Sequence, residues 1–182
     1  EDFDFLNLLG NIEQTVGNSS NALMYYEKAR EQNPDDVNNL VALAGLYETF
    51  KRYKESNAAY EKVLSIEPDN ALALNNYAYY LSVRGERLNE ALVMSKKSLE
   101  NNADNGSYLD TYGWILFKLK KYEDARDYIL KSLKANPNSA VVNDHLGDVY
   151  DALGDRTNAM KYWNKAYELA PDNLEFKNKV SK

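Results

Sequence analysis

The sequence predicts an all-α protein, a right-handed α-solenoid of five helical hairpins followed by a C-terminal capping helix. Two observations carry this. First, the four prolines, Pro34, Pro68, Pro137 and Pro171, stand 34, 69 and 34 residues apart in the similar runs NPDD, EPDN, NPNS and APDN. The middle gap is two periods plus one residue, and Ala103 in NNADN writes the missing turn without proline. Second, small and bulky residues recur in one register along the whole chain, the signature of units that bury their apolar faces only by stacking. The composition agrees. A chain of 182 residues, 44% hydrophobic and 27% charged, buries a real core, and 8 glycines with 4 prolines are too few for a turn-rich fold.

The units are 3–36, 37–70, 71–105, 106–139 and 140–173, with a cap over 174–182, and together they form one domain, 1–182. Each unit reads as two amphipathic helices. In the first helix Gly10, Ala44, Ala78, Gly113 and Gly147 are all small at one position. In the second helix the small residue is Ala22, Ser56, Ala91, Ala125 or Ala159. Four places later comes Tyr26, Tyr60, Ser95, Ile129 or Trp163, and three further on Ala29, Val63, Ser98, Ser132 or Ala166. Small residues let the helices approach, and the large one fills the space beside them. Gly17, Gly85 and Gly154 fall at the inter-helix turn, where a left-handed residue ends a helix at low cost. Asp or Asn beside each proline suits capping of the next helix. The third unit carries its extra residue in GERLNEA.

Residues 174–182 restart the pattern with Leu174, Phe176 and Val180, which reads as a short capping helix with its lysines outward. At the other end Phe3, Phe5, Leu6, Leu8 and Leu9 crowd a first helix with no predecessor to cover it. The chain opens on Glu1 rather than Met. That end reads either as an excised first repeat or as a self-association edge, with Phe3, Phe5 and Leu6 partly exposed.

The pattern resembles the tetratricopeptide repeat, whose period is about 34 residues with a W-x2-L-G-x2-Y, A-x3-F and P signature. The best match is Leu146, Gly147, Tyr150, Ala159, Trp163, Ala166 and Pro171. The resemblance spans 3–173, departing at Ser56, at Ala103 and at the extra residue before Ala91. It implies that the first helices line a concave surface that binds a peptide or extended segment. Carried over by register, the candidate positions are Asn7, Asn11 and Gln14; Val41, Gly45 and Glu48; Asn75, Asn76 and Tyr79; Asp110, Thr111, Trp114 and Phe117; and Asp144, His145, Asp148 and Asp151. The peptide-binding set is centred on Asn75, Asn76, Tyr79, Asp110, Trp114, Phe117, Asp144, His145, Asp148 and Asp151. No Lys or Arg falls in the register with which chaperone-binding relatives clamp a C-terminal carboxylate. The runs 108–125 and 145–166 resemble a bacterial branch with envelope members, which implies a periplasmic or outer-membrane-associated location.

Asp144, Asp148 and Asp151 share one helix face, and Trp114 and Phe117 form one aromatic platform or pack between units. The aromatic platform beside three unpaired carboxylates suits a protein or peptide partner carrying apolar and basic side chains. A formal net charge of -6 argues against nucleic acid, and the lack of a long apolar run against membrane insertion. With no Cys and one His, cysteine chemistry and multi-histidine metal sites are excluded, and no cofactor motif is present. The expectation is therefore a non-catalytic interaction scaffold. The alternatives are a catalytic or metal-binding site around His145, which Asp110 faces from the preceding unit, and a structural spacer within a longer chain.

Overall fold

The computed structural model describes residues 2–181; Glu1 and Lys182, the outermost residues of the expected domain and cap, lie outside them. The described residues are all-helical, with eleven helices in chain order. They are α1 (Phe3–Thr15), α2 (Ser19–Gln32), α3 (Val37–Thr49), α4 (Tyr53–Ile66), α5 (Ala71–Arg84) and α6 (Leu88–Ser98). The series continues with α7 (Gly106–Lys118), α8 (Tyr122–Ala135), α9 (Ala140–Ala152), α10 (Arg156–Leu169) and α11 (Leu174–Val180). The chain forms two compact units, Glu1–Tyr77 and Ala78–Lys182.

Local chemistry sets the helix ends. Asp36, Asn105, Ser139 and Asn173 start α3, α7, α9 and α11 by accepting a hydrogen bond from a backbone N–H of the first turn. Between the helices of each hairpin one residue is left-handed: Gly17, Gly85 and Gly154 with φ of 81°, 71° and 80°, but Lys51 and Lys120 with φ of 58° and 62°. A lysine gains nothing there and carries a Cβ penalty. Lys51→Gly and Lys120→Gly are each expected to stabilise the fold by about 0.5–1 kcal/mol, read as a raised urea midpoint at constant slope. A lowered midpoint would contradict the assignment of strain. The extra residue of the third unit is absorbed by a second left-handed residue, Arg87 (φ 46°), just before α6.

In the first unit α1 pairs with α2, α2 lies against α3, and α3 pairs with α4. Its core includes Leu6, Tyr26, Leu43, Leu46 and Tyr47. In the second unit α7 pairs with α8 and α9 with α10, and Leu116, Ile129, Val142, Leu146 and Val149 form one core cluster. The small position of each first helix has a direct cause. A Cβ on Gly113 would stand 2.5 Å from Ile129 Cγ1, and one on Gly147 would clash with Cδ1 and Nε1 of the Trp163 indole.

Two expectations are corrected. Leu6, expected at the exposed N-terminal edge, is only 1% exposed because it faces into the α1–α2 core. The exposed stripe is instead Phe5, Leu8, Ile12 and Val16, at 49%, 54%, 49% and 70%. At the registers of Phe5 and Ile12, Asn39 and Leu46 in α3 and Val142 and Val149 in α9 are buried by the hairpin before them. The second correction is at the cap. Phe176 is buried as expected, but Lys179 does not point outward: it lies over α9, where two carboxylates need a counter-charge.

Candidate functional site

Helical spacing puts Asp110, Trp114 and Phe117 on one face of α7. His145, one repeat after Thr111, meets that face from α9. Its Nδ1 lies 3.0 Å from both carboxylate oxygens of Asp110, and both side chains are nearly buried. The imidazole stacks on Trp114 with ring centroids 4.0 Å apart and planes 15° apart. Phe117 stacks on the same indole at 4.9 Å, and Lys118 Nζ stands 4.8 Å from its centre. Trp114 stays half-buried, while Phe117 packs partly against the core cluster, so the platform and the inter-helix packing are one arrangement. Tyr79, against Tyr80 edge-on, belongs to the same electrostatic neighbourhood: burial first, then the Asp110 charge, pushes its phenol pKa up. In the first unit Asn75 is 6% exposed and donates to Asn76 Oδ1 at 3.2 Å.

The carboxylates of α9 are not the unpaired row that their sequence suggested. Lys179 Nζ donates to Asp144 (2.9 and 2.8 Å) and to Asp148 (2.7 and 2.9 Å). Asp148 also accepts from Trp163 Nε1 at 2.9 Å, and Asp151 accepts from Arg156 at 2.8 Å. Burial raises the Asp144 pKa, with the Lys179 hydrogen bond working against it. Burial alone would lower the pKa of Lys179, but its hydrogen bonds to Asp144 and Asp148 win and raise it. The net charge offered to a partner here is therefore small: Asp110, Asp144, Asp148 and Asp151 face Lys118, Lys179 and Arg156.

Sequence reasoning missed Lys179, Arg156 and the Trp163 donor. A signal for the first was available. Lys179 follows His145 by one 34-residue period, and it meets Asp144 as His145 meets Asp110. Among the described residues no three His, Cys, Asp or Glu side chains converge to hold a metal ion, and Thr111, the hydroxyl nearest His145 in register, is 4% exposed.

Family models for the tetratricopeptide repeat match residues 3–36, 37–70 and 141–173, a second 106–139, and a third 59–92. The chain belongs to the tetratricopeptide repeat family. It is 33% identical over 122 residues to a TPR repeat-containing protein of Pseudomonas aeruginosa, covering 67% of this chain and 20% of that one. It is 28% identical over 150 residues to the type IV pilus assembly protein PilF of the same organism, covering 81% of this chain and 59% of that one. The chain thus spans less than two thirds of either relative. The crystal structure of the type IV pilus biogenesis factor PilW superposes with a TM-score of 0.82 at 21% identity, over 93% of this chain and 78% of that one. Matches to proteins named as O-mannosyl- or N-acetylglucosaminyl-transferases cover 20% or less of those proteins. The repeat fold supports a protein–protein interaction scaffold in general. No helix among the described residues is long and apolar enough to cross a membrane.

Proposed function

We propose that this chain is a non-catalytic scaffold that binds an extended segment of another protein on its first-type helices. The observation that carries the reading is the part-exposed Trp114, held by His145 of the next repeat and by Phe117. Such a plate is preorganised, so binding an apolar side chain there costs little ordering. Asp110 and His145 adjoin it; Tyr79, Asp144, Asp148 and Asp151 are the other candidate positions in the second unit, and Asn75 and Asn76 those of α5 within the first. The balanced charges favour an apolar anchor over a strongly basic one. Similarity to a pilus assembly protein supports association with a bacterial cell envelope.

The burial of His145 and of Thr111 supports a structural histidine over a catalytic one. The test starts with a pull-down from bacterial fractions using the folded chain, followed by calorimetry on the captured partner. Trp114→Ala is expected to weaken binding at least tenfold at every salt concentration, about 1.4 kcal/mol, because an apolar contact is not screened. Asp151→Asn is expected to change it little at any salt. His145→Gln keeps a donor for Asp110 but removes the ring stacked on Trp114, and is expected to weaken binding less than Trp114→Ala. A partner that binds wild type and Trp114→Ala equally uses another surface. An activity abolished by His145→Gln in a folded protein would favour the enzyme reading.

Self-association through the α1 stripe belongs to the same scaffold reading. Asp4 and Glu13 flank the stripe, so two copies repel at low salt. Association is expected only at high concentration, to strengthen with salt and to weaken in Phe5→Glu. Sedimentation equilibrium that returns a monomer throughout removes the idea.

A further inference from the structure

The second helices of four hairpins, α2, α4, α8 and α10, run for 14 residues, but α6 has 11. It ends early because its last turn tightens. The N–H of Leu99 bonds to the Lys96 carbonyl and that of Glu100 to the Lys97 carbonyl, both at 3.1 Å, the i to i+3 pattern that closes an α-helix. Leu99 therefore lies in the turn that leads to α7. Between this turn, α7 and α8 a cleft of about 470 Å³ opens, with Leu99, Ala103, Leu109, Tyr112 and Tyr128 among its walls. Tyr112 and Tyr128 meet edge-on, with ring centroids 4.6 Å apart. Helical spacing sets Leu109 and Tyr112 on a different face of α7 from Asp110, Trp114 and Phe117.

The first unit has a cleft at the same register, of about 460 Å³, between α2, α3 and α4. There Lys62 bonds to Asp35 at 2.9 Å, and Arg30 and Ala59 stand in the wall. Two periods plus one residue later, the corresponding residues are Lys131, Asp104, Leu99 and Tyr128. The wall here is apolar and aromatic, and the ion pair is not formed: Lys131 Nζ stands 4.7 Å from the centre of the Tyr128 ring instead. Lys96 also borders the cleft, and Lys134 borders an adjoining cavity of about 380 Å³ that shares Ala103, Asp104, Leu109 and Lys131. Among the described residues the ammonium groups of Lys96, Lys131 and Lys134 have no carboxylate partner. Glu100 and Asp104 stand in the same walls. Three cations thus oppose two anions, a locally positive place on a chain of net charge -6.

We propose that this cleft docks a segment of a partner protein in which an aromatic side chain stands beside carboxylates. The ring fits against the edge-on tyrosine pair, Leu99 and Leu109. The carboxylates meet lysines that have no ion pair to give up, whereas a basic segment would meet three ammonium groups. The inference goes beyond the scaffold reading, since it uses another face of α7 and does not involve Trp114.

The probe is acetyl-Glu-Phe-Glu-amide, titrated into the whole ¹⁵N-labelled chain while backbone amide signals are followed. Saturable shifts are expected at Leu99, Leu109, Tyr112 and Tyr128. Acetyl-Gln-Phe-Gln-amide, which lacks the charges, and acetyl-Glu-Ala-Glu-amide, which lacks the ring, should each bind at least fivefold more weakly. The double variant Lys96→Gln, Lys131→Gln changes two exposed side chains and should bring the two phenylalanine probes level. Tyr128→Ala, which installs the residue that the first unit has at this register, should weaken the first probe at least fivefold; if that variant does not fold, the lysine variant decides. Equal affinity for the three probes, shifts centred elsewhere or no saturation would overturn the proposal. Loss of the shifts in a folded Trp114→Ala variant would overturn it too, because the probe would then be using the other face of α7. Lysine-dependent binding to phosphatidylglycerol vesicles without peptide binding would assign the patch to an anionic membrane surface and overturn the peptide site. Failure here with Trp114-dependent partner binding intact sinks only this inference; loss of the Trp114 dependence sinks the scaffold reading instead.

Discussion

Replacing Trp163 by alanine is expected to destabilise the protein by about 3–5 kcal/mol, the cost of emptying the space of a buried large aromatic. The side chain is 6% exposed and lies directly over Gly147, between Ala159 and Ala166 of its own helix. Alanine would leave a void along the α9–α10 contact and take a donor from Asp148. Arg156, whose guanidinium carbon stands 5.0 Å from the ring centre, would lose its support. Urea titration monitored by circular dichroism gives the number. A loss below about 1 kcal/mol would mean that this hairpin does not depend on its plug.

The second large effect concerns the cap. Lys179→Met keeps the length of the side chain and removes the only cation that bonds both Asp144 and Asp148 in the described residues. Stripping one partner from a buried ion pair costs about 3–5 kcal/mol. The three side chains here keep 19%, 10% and 20% exposure, so roughly 2–4 kcal/mol is the expected loss. The pH dependence has a definite sign. The folded-state pKa of Asp144 is raised, so the favourable contribution of its protonated form is present below about 3.8 and is lost as pH rises through the folded value. In the variant no ammonium opposes that rise, so its deficit against wild type should be large at neutral pH and shrink as pH falls into the carboxylate range. Lys179 itself has a raised pKa; its contribution is complete below about 10.5 and is lost as pH rises through the folded value. Asp144→Asn separates charge from shape. It still accepts from Lys179 and should cost about 1 kcal/mol or less. Equal, pH-independent losses for Lys179→Met and Asp144→Asn would show that the bridge contributes packing alone.

The repeat was legible because it is written in residue size and spacing. Gly147 beside Trp163 and Gly113 beside Ile129 record how closely two helices approach, and such steric rules act between residues within one hairpin. The His145–Asp110 pairing was legible for a related reason: a period of 34 residues places equivalent positions on neighbouring first helices. The carboxylates of α9 were not. Their identity and common face follow from spacing, but whether they are free depends on what lies over them, and Lys179 comes from a helix 35 residues away, too short to be read as a full repeat. Leu6 fails in the same way, since hydrophobic crowding in α1 does not say which of its residues α2 covers.

By itself, then, the sequence determined the helical hairpins, their registers and the family, because these depend on local sterics and a periodic pattern. Only the tertiary structure decided the charge balance of the candidate surface on α7 and α9 and the role of α11. Each of those is a pairing between side chains distant in sequence, and the strength of such a pairing is set by burial and by the partners actually within hydrogen-bond reach.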